Sequence, residues 1–138
     1  MSSNLSNWET PHELFKKLNM KYRFQIDVCA SKENAKCQTF FTEDIDGLSQ
    51  EWNAAICWMN PPYGRAIGKW MKKAYEESLK GATVVCLVPA RTDTAWWHDF
   101  AMKGKIEFLR GRVKFIHPVE KVGRPAPFPS AIVVFNDK

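Results

Sequence analysis

The 138-residue chain has no CxxC pair, no internal repeat, no low-complexity tract and no apolar run of membrane-spanning length. Its four cysteines, Cys29, Cys37, Cys57 and Cys86, are scattered, and three sit in or beside apolar runs. That pattern argues against a disulfide framework and reads as free thiols in a reducing compartment. The histidines, His12, His98 and His117, are equally dispersed, so no zinc-type ligand cluster is expected and no metal is assigned. The opening MSSNLSNWET lacks the basic-then-apolar order of a secretory leader. A soluble cytoplasmic protein with no membrane partner is the expectation.

What is present fits one domain over residues 1–138. Apolar residues make up 45% of the chain, enough for a packed core. The net charge of +5 mildly favours an anionic partner, nucleic acid first. Six tryptophans and nine phenylalanines add flat surfaces, most of them destined for the interior.

A helix is expected from Thr10, where Thr10-Pro11-His12-Glu13 supplies an N-cap, a proline and a capping-box glutamate. Leu14, Phe15 and Leu18 mark its inner face. Alternation at Phe24, Ile26 and Val28 predicts a strand ending near Asp27. Residues 31–38 read as a short helix and residues 39–41 as a short strand, before the acidic loop of Glu43, Asp44 and Asp46. Residues 54–59 and 83–88 read as buried strands. Between them Ile67, Trp70, Met71, Ala74 and Leu79 keep helical spacing up to Gly81. A further helix is expected from residue 92 or 93 to Gly104, with only one of Trp96 and Trp97 well placed on its buried face. Strands follow at 106–109, 113–116 and 131–135, with a three-proline loop at 122–130. Continuous apolar strands alternating with helices predict an α/β sandwich, mostly parallel, with antiparallel strands at the C-terminal end. In such sheets ligands bind beyond the carboxyl ends of the strands. Asp27, the acidic loop, Asn60 and residues 89–93 all fall there and are expected on one rim.

The segment CWMNPPYG, residues 57–64, is the most informative stretch. An asparagine before proline is pushed to an extended conformation, and the proline keeps a carbonyl while lacking an N–H. Asn60 and Pro61 therefore offer two rigid acceptors, a side-chain oxygen and a backbone oxygen. An exocyclic amine has two N–H groups to give them. Its lone pair would then withdraw from the ring and be free to attack an electrophile. Tyr63 can stack on the base, a contact worth ~1–3 kcal/mol. The structural alternative is a simple strand-ending turn.

This corner resembles the N-P-P-Y motif of S-adenosylmethionine-dependent adenine-N6 methyltransferases. Further segments resemble the phage DNA N-6-adenine methyltransferase family in order: Trp8-Glu9-Thr10-Pro11, FQIDVCA at 24–30, NAKC at 34–37, FFT at 40–42 and DGL at 46–48. So do LVPARTDT at 87–94, FLRGR at 108–112 and FPSA at 128–131. The resemblance spans nearly the whole chain. It implies a compact Rossmann-like methyltransferase sandwich, S-adenosylmethionine as cofactor, DNA as partner, and a flipped-out adenine as substrate in a bacterial or phage-infected cell. It implies Asn60, Pro61, Pro62 and Tyr63 at the chemistry. Trp8, Thr10, Pro11, Asp27, Ala30, Asp44 and Asp46 are expected at the cofactor, and Arg65, Arg91, Trp97 and Arg112 at the DNA. Methyltransferases of this fold usually carry a glycine-rich turn after the first strand, whereas residues 27–37 contain no glycine. Enzymes acting on RNA adenine or protein glutamine share N-P-P-Y, and an inert DNA-binding module of the same fold is a rival of another class. A protein this small wraps little DNA, and homodimerisation would enlarge the footprint.

Overall fold

The structure is a computed structural model that describes residues 8–137; residues 1–7 and 138 lie outside them. Helix α1 (His12–Tyr22) leads into β1 (Ile26–Asp27). After the acidic loop come β2 (Ile56–Met59), α2 (Ile67–Leu79), β3 (Thr83–Pro89) and the short α3 (Ala95–Asp99). The chain closes with β4 (Lys105–Phe108), β5 (Lys114–Ile116), β6 (Gly123–Pro125) and β7 (Ser130–Phe135). Five strands form one mixed sheet in the order β1-β2-β3-β7-β4, and β5 pairs with β6 in a separate ribbon. Strands β1 to β3 are parallel; β7 runs against both β3 and β4, so β4 points the same way as the first three.

Strand periodicity divides the core in two. Cys57, Met59, Val84, Cys86, Val88, Ala131, Val133 and Phe135 face one side, where they meet Ile67, Trp70, Met71 and Ala74 of α2 and Trp97 of α3. Trp58, Val85, Leu87, Ile132 and Val134 face the other, under Leu14, Phe15 and Leu18 of α1 and Val113 and Phe115 beside and within β5. Successive residues point to opposite faces, so a strand covered on both sides must be apolar throughout. All of β3 and β7 is buried.

Several expectations fail locally. Residues 31–38 form no helix. Ser31 N–H donates to Asn34 Oδ1 at 2.7 Å and Asn34 N–H to Ser31 Oγ at 3.2 Å, a local exchange that competes with helical bonding. Residues 39–41 reduce to a parallel bridge between Asp27 and Phe40. Thr10 does not cap α1; Pro11 holds the cap position and no side chain caps it. Helix α3 stops at Asp99, and a single 3₁₀ turn, Ala101–Lys103, replaces its predicted second half. The three-proline loop contains β6, which the prolines had hidden. The pairing succeeds because Pro125 ends an edge strand, where a missing N–H is tolerated. Leu79 is 69% exposed, while Glu77 takes a buried place on α2.

Glu77 connects the fold to the site. One carboxylate oxygen accepts the Trp52 N–H at 2.9 Å and the other accepts Lys73 Nζ at 2.9 Å. Trp52 in turn donates its indole N–H to the Gly47 carbonyl at 2.9 Å. Burial alone would raise the Glu77 carboxyl, but Lys73, the Trp52 N–H and Lys80 hold it below its usual range. Through this chain of bonds α2 anchors the loop that carries the acidic residues.

Candidate functional site

Asp27, Asn60 and Ala90 each lie at or just beyond the carboxyl end of one of three neighbouring parallel strands. Next to that rim lies a cavity of about 610 Å³ lined by Ala30, Lys32, Phe41, Asp44, Asp46 and Trp70 among others, with Pro62 in its wall. A much smaller space, about 10 Å³, adjoins Trp8, Thr10, Asp27, Lys36, Trp58 and Asn60. Cys29 lines both. Asn60 thus stands on one side of the corner and Pro62 on the other.

Tertiary structure ties the asparagine down at both ends of its amide. Asn60 Nδ2 donates to Thr10 Oγ1 at 3.1 Å, and Asn60 Oδ1 accepts from the Tyr63 hydroxyl at 2.7 Å. The Leu87 carbonyl also lies 3.0 Å from that hydroxyl. A phenol has one proton, so the two acceptors compete for it. Among the described residues the Pro61 carbonyl accepts no hydrogen bond from the protein. The Tyr63 ring packs edge-on against Phe115 and Phe128, with centroids 6.1 and 5.4 Å away. Tyr63 is half-buried and packs against both core clusters. Burial pushes the Tyr63 phenol well above its usual range, so the phenol stays protonated.

The expected cofactor residues separate into groups. Ala30, Asp44 and Asp46 line the large cavity; Trp8, Thr10 and Asp27 line the small one; Pro11 lines neither. Asp46, at φ 60°, caps a 3₁₀ turn by accepting from Leu48 N–H and Ser49 Oγ. Asp27 is buried, and its two oxygens accept the Cys29 N–H at 3.3 Å and the Lys36 N–H at 3.0 Å. Burial pushes its carboxyl up to about 7, with these two N–H groups and the Lys36 charge opposing the rise. The Cys29 thiol is pushed up to about 12 by burial and by the charges of Asp27 and Glu43. It is therefore a poor nucleophile. Among the described residues no group of His, Cys, Asp or Glu gathers that could hold a metal ion.

On the nucleic-acid side, Arg65, Arg91 and Arg112 are exposed, with the Arg91 guanidinium 5.3 Å from the Phe128 ring centroid. Trp97 is a correction: it is 3% exposed and packed between Trp96 and Phe108, so it belongs to the core. Sequence reasoning assigned no cavity role to Phe41 or Trp70, since each reads equally well as core. Lys114, read from the sequence with Arg112 as one of the basic residues able to neutralise phosphates, stands exposed on β5 two positions from Arg112.

The fold and the rim define a mixed α/β protein. Its ligand-sized cavity sits beyond parallel strand ends, beside a fixed asparagine-proline corner. The sequence profile of the DNA N-6-adenine-methyltransferase (Dam) family matches residues 2–138. The chain belongs to that family. It is 29% identical over 115 residues to a DNA N-6-adenine-methyltransferase of Haemophilus phage HP1 (strain HP1c1), a match covering 80% of this chain and 66% of that protein. It is 34% identical over 94 residues to one of Escherichia phage T1, covering 67% of this chain and 39% of that protein. A putative methyltransferase of Escherichia coli (strain K12), YfdM, is 29% identical over 63 residues, 41% of this chain and 69% of that one. The chain thus spans just under two thirds of the first relative and well under half of the second.

Proposed function

We propose that this protein is a Rossmann-like DNA methyltransferase that methylates N6 of a flipped-out adenine, with S-adenosylmethionine as donor, in the cytoplasm of a bacterial or phage-infected cell. The observation that carries the reading is Asn60. Its amide stands at the carboxyl end of β2, on the small space that shares Cys29 with the acid-lined cavity, next to the Pro61 carbonyl, which among the described residues accepts no hydrogen bond from the protein. Family membership and the names of the two phage relatives support the same reaction.

The large cavity fits the donor in size and in chemistry. Small-molecule sites run to roughly 300–1,000 Å³. Phe41 and Trp70 offer apolar faces to a purine, and Asp44 and Asp46 offer acceptors to hydroxyl and amino groups. Ala30 in that cavity, and Asp27 in the small space that adjoins it at Cys29, would serve the methionine end. S-adenosylmethionine, when bound, supplies an electrophilic methyl group.

The chain's own residues prepare the amine. Asn60 Oδ1 and the Pro61 carbonyl take its two N–H groups and localise the nitrogen lone pair. Asn60 Oδ1 has two lone pairs and spends one on Tyr63, leaving the second for the substrate. Pro62 stiffens the corner, and Tyr63 borders the base. Direct displacement needs no covalent cysteine intermediate, and burial keeps the Cys29 thiol beside the site protonated and a poor nucleophile. A base inside a duplex must leave the stack, at a cost of about a few kcal/mol. Arg65, Arg91 and Arg112 bind the flanking phosphates.

Unmethylated plasmid incubated with the protein and isotopically labelled S-adenosylmethionine, then digested to nucleosides for mass spectrometry, tests the reading. Labelled N6-methyladenine is the expected product. Label in RNA or protein substrates, with none in DNA, would sink the DNA assignment.

A further inference from the structure

The geometry points to Thr10 as the positioning residue that holds the Asn60 amide in place for the amine. This inference rests on the proposed adenine chemistry at Asn60. Thr10 lies 50 residues away in sequence, is 2% exposed, and accepts the Asn60 Nδ2 proton at 3.1 Å.

Other possible tasks for its hydroxyl are filled differently. It does not cap α1, and it lies outside the large cavity. The segment around it is fastened without it. Glu9 exchanges backbone hydrogen bonds with Ile116 at 2.9 and 2.8 Å, and the Glu9 carboxylate pairs with Lys36 Nζ at 2.8 Å. The Thr10 hydroxyl is therefore delivered to Asn60 by a strand-like anchor that does not depend on it.

The need for such a hold follows from amide chemistry. The terminal torsion of an asparagine is soft and roughly two-fold, and half a turn exchanges an acceptor oxygen for a donor nitrogen. Presenting nitrogen to an amine would repel it. Tyr63 cannot hold the group alone. The Leu87 carbonyl at 3.0 Å competes with Asn60 Oδ1 for its one proton, whereas Thr10 Oγ1 spends a lone pair on the amide and needs no proton for that bond. With Thr10 engaged, the amide is tethered at both ends and its plane is held. With Thr10 gone, one adaptable tether remains, and the reactive geometry is populated only part of the time.

The test uses Thr10→Val, which keeps shape and removes the hydroxyl, and Thr10→Ser, which keeps the hydroxyl. In methylation of plasmid DNA, Thr10→Val is expected to lower kcat by ~10–100-fold, the scale of a misplaced reactive group. KM for DNA and the calorimetric affinity for S-adenosylmethionine should stay within about twofold of the parent, the pattern of an interaction that matters only during reaction. Thr10→Ser should restore most of kcat. A parent-like kcat in Thr10→Val, or a loss confined to cofactor affinity, overturns the assignment. A second readout needs no activity. In ¹⁵N spectra the Asn60 side-chain NH₂ signals, assigned with Asn60→Asp, should shift and exchange faster with water in Thr10→Val. Signals that do not move overturn the hold itself. If the parent methylates no adenine, the proposed function fails while these spectra still decide the role of Thr10.

Discussion

Gly47 passes so close to Val28 that a Cβ on it would stand 2.2 Å from the Val28 carbonyl oxygen and 3.1 Å from the Trp70 ring. The turn after β1 has no glycine, and the close approach is supplied instead by the acidic loop folding back over β1. The loop that carries Asp44 and Asp46 is thus pressed against the strand end, with Trp52 holding the Gly47 carbonyl from behind. Gly47→Ala must push backbone away from backbone. The expected loss is about 1–3 kcal/mol of stability, with weaker S-adenosylmethionine binding, read by urea unfolding and calorimetry. A parent-like midpoint and affinity would show that the loop is free to retreat.

Asn60→Ala removes the side-chain acceptor and leaves the Pro61 carbonyl. Methyl transfer should fall by at least ~100-fold, the scale of losing one preorganised polar group at a reacting centre. Cofactor affinity should change little, because Asn60 lies outside the large cavity, while the lost bonds to Thr10 and Tyr63 should lower stability by about 1–3 kcal/mol. Full activity in labelled-methyl assays would remove Asn60 from the chemistry.

Asp27 makes stability depend on pH. Its carboxyl rises from 3.8 to about 7 on folding because burial penalises the charge. The folded state therefore binds the extra proton between these values. Its contribution is fully present below the unfolded value, declines as pH climbs towards 7, and levels off above it. Denaturant midpoints measured from pH 4 to 8 should show this decline, and Asp27→Asn should flatten it. An unchanged slope in Asp27→Asn would assign the dependence to another group.

The basic surface predicts a salt signature. Arg112→Ala should weaken binding to duplex DNA and reduce the slope of log K against log salt by about 1. Lys72, exposed on the outer side of α2, serves as the control, and Lys72→Ala should leave affinity and methylation unchanged. Fluorescence anisotropy at several salt concentrations reads both. Equal losses in the two variants would indicate diffuse attraction rather than a defined track.

Much of the framework is legible in the chain. The apolar runs that become β2, β3 and β7 are continuous because both faces of those strands are covered, and the 3.6-residue spacing of Ile67, Trp70, Met71 and Ala74 marks α2. Short polar segments were less legible. Ser31 and Asn34 settle their own turn by side-chain bonds, and β6 exists only because β5 lies beside it.

By itself, then, the sequence determined the alternation of helices and buried strands, the rigid corner at residues 60–63 and the family to which the chain belongs. These are local or ordered properties, carried by periodicity, proline stereochemistry and motif order. Only the tertiary structure decided that Thr10 meets Asn60, that Tyr63 turns towards Phe115 and Phe128, that Trp97 is core and that Gly47 presses on Val28. Each of these joins residues at least 19 positions apart or depends on which neighbour fills a space first, and no local pattern encodes that outcome.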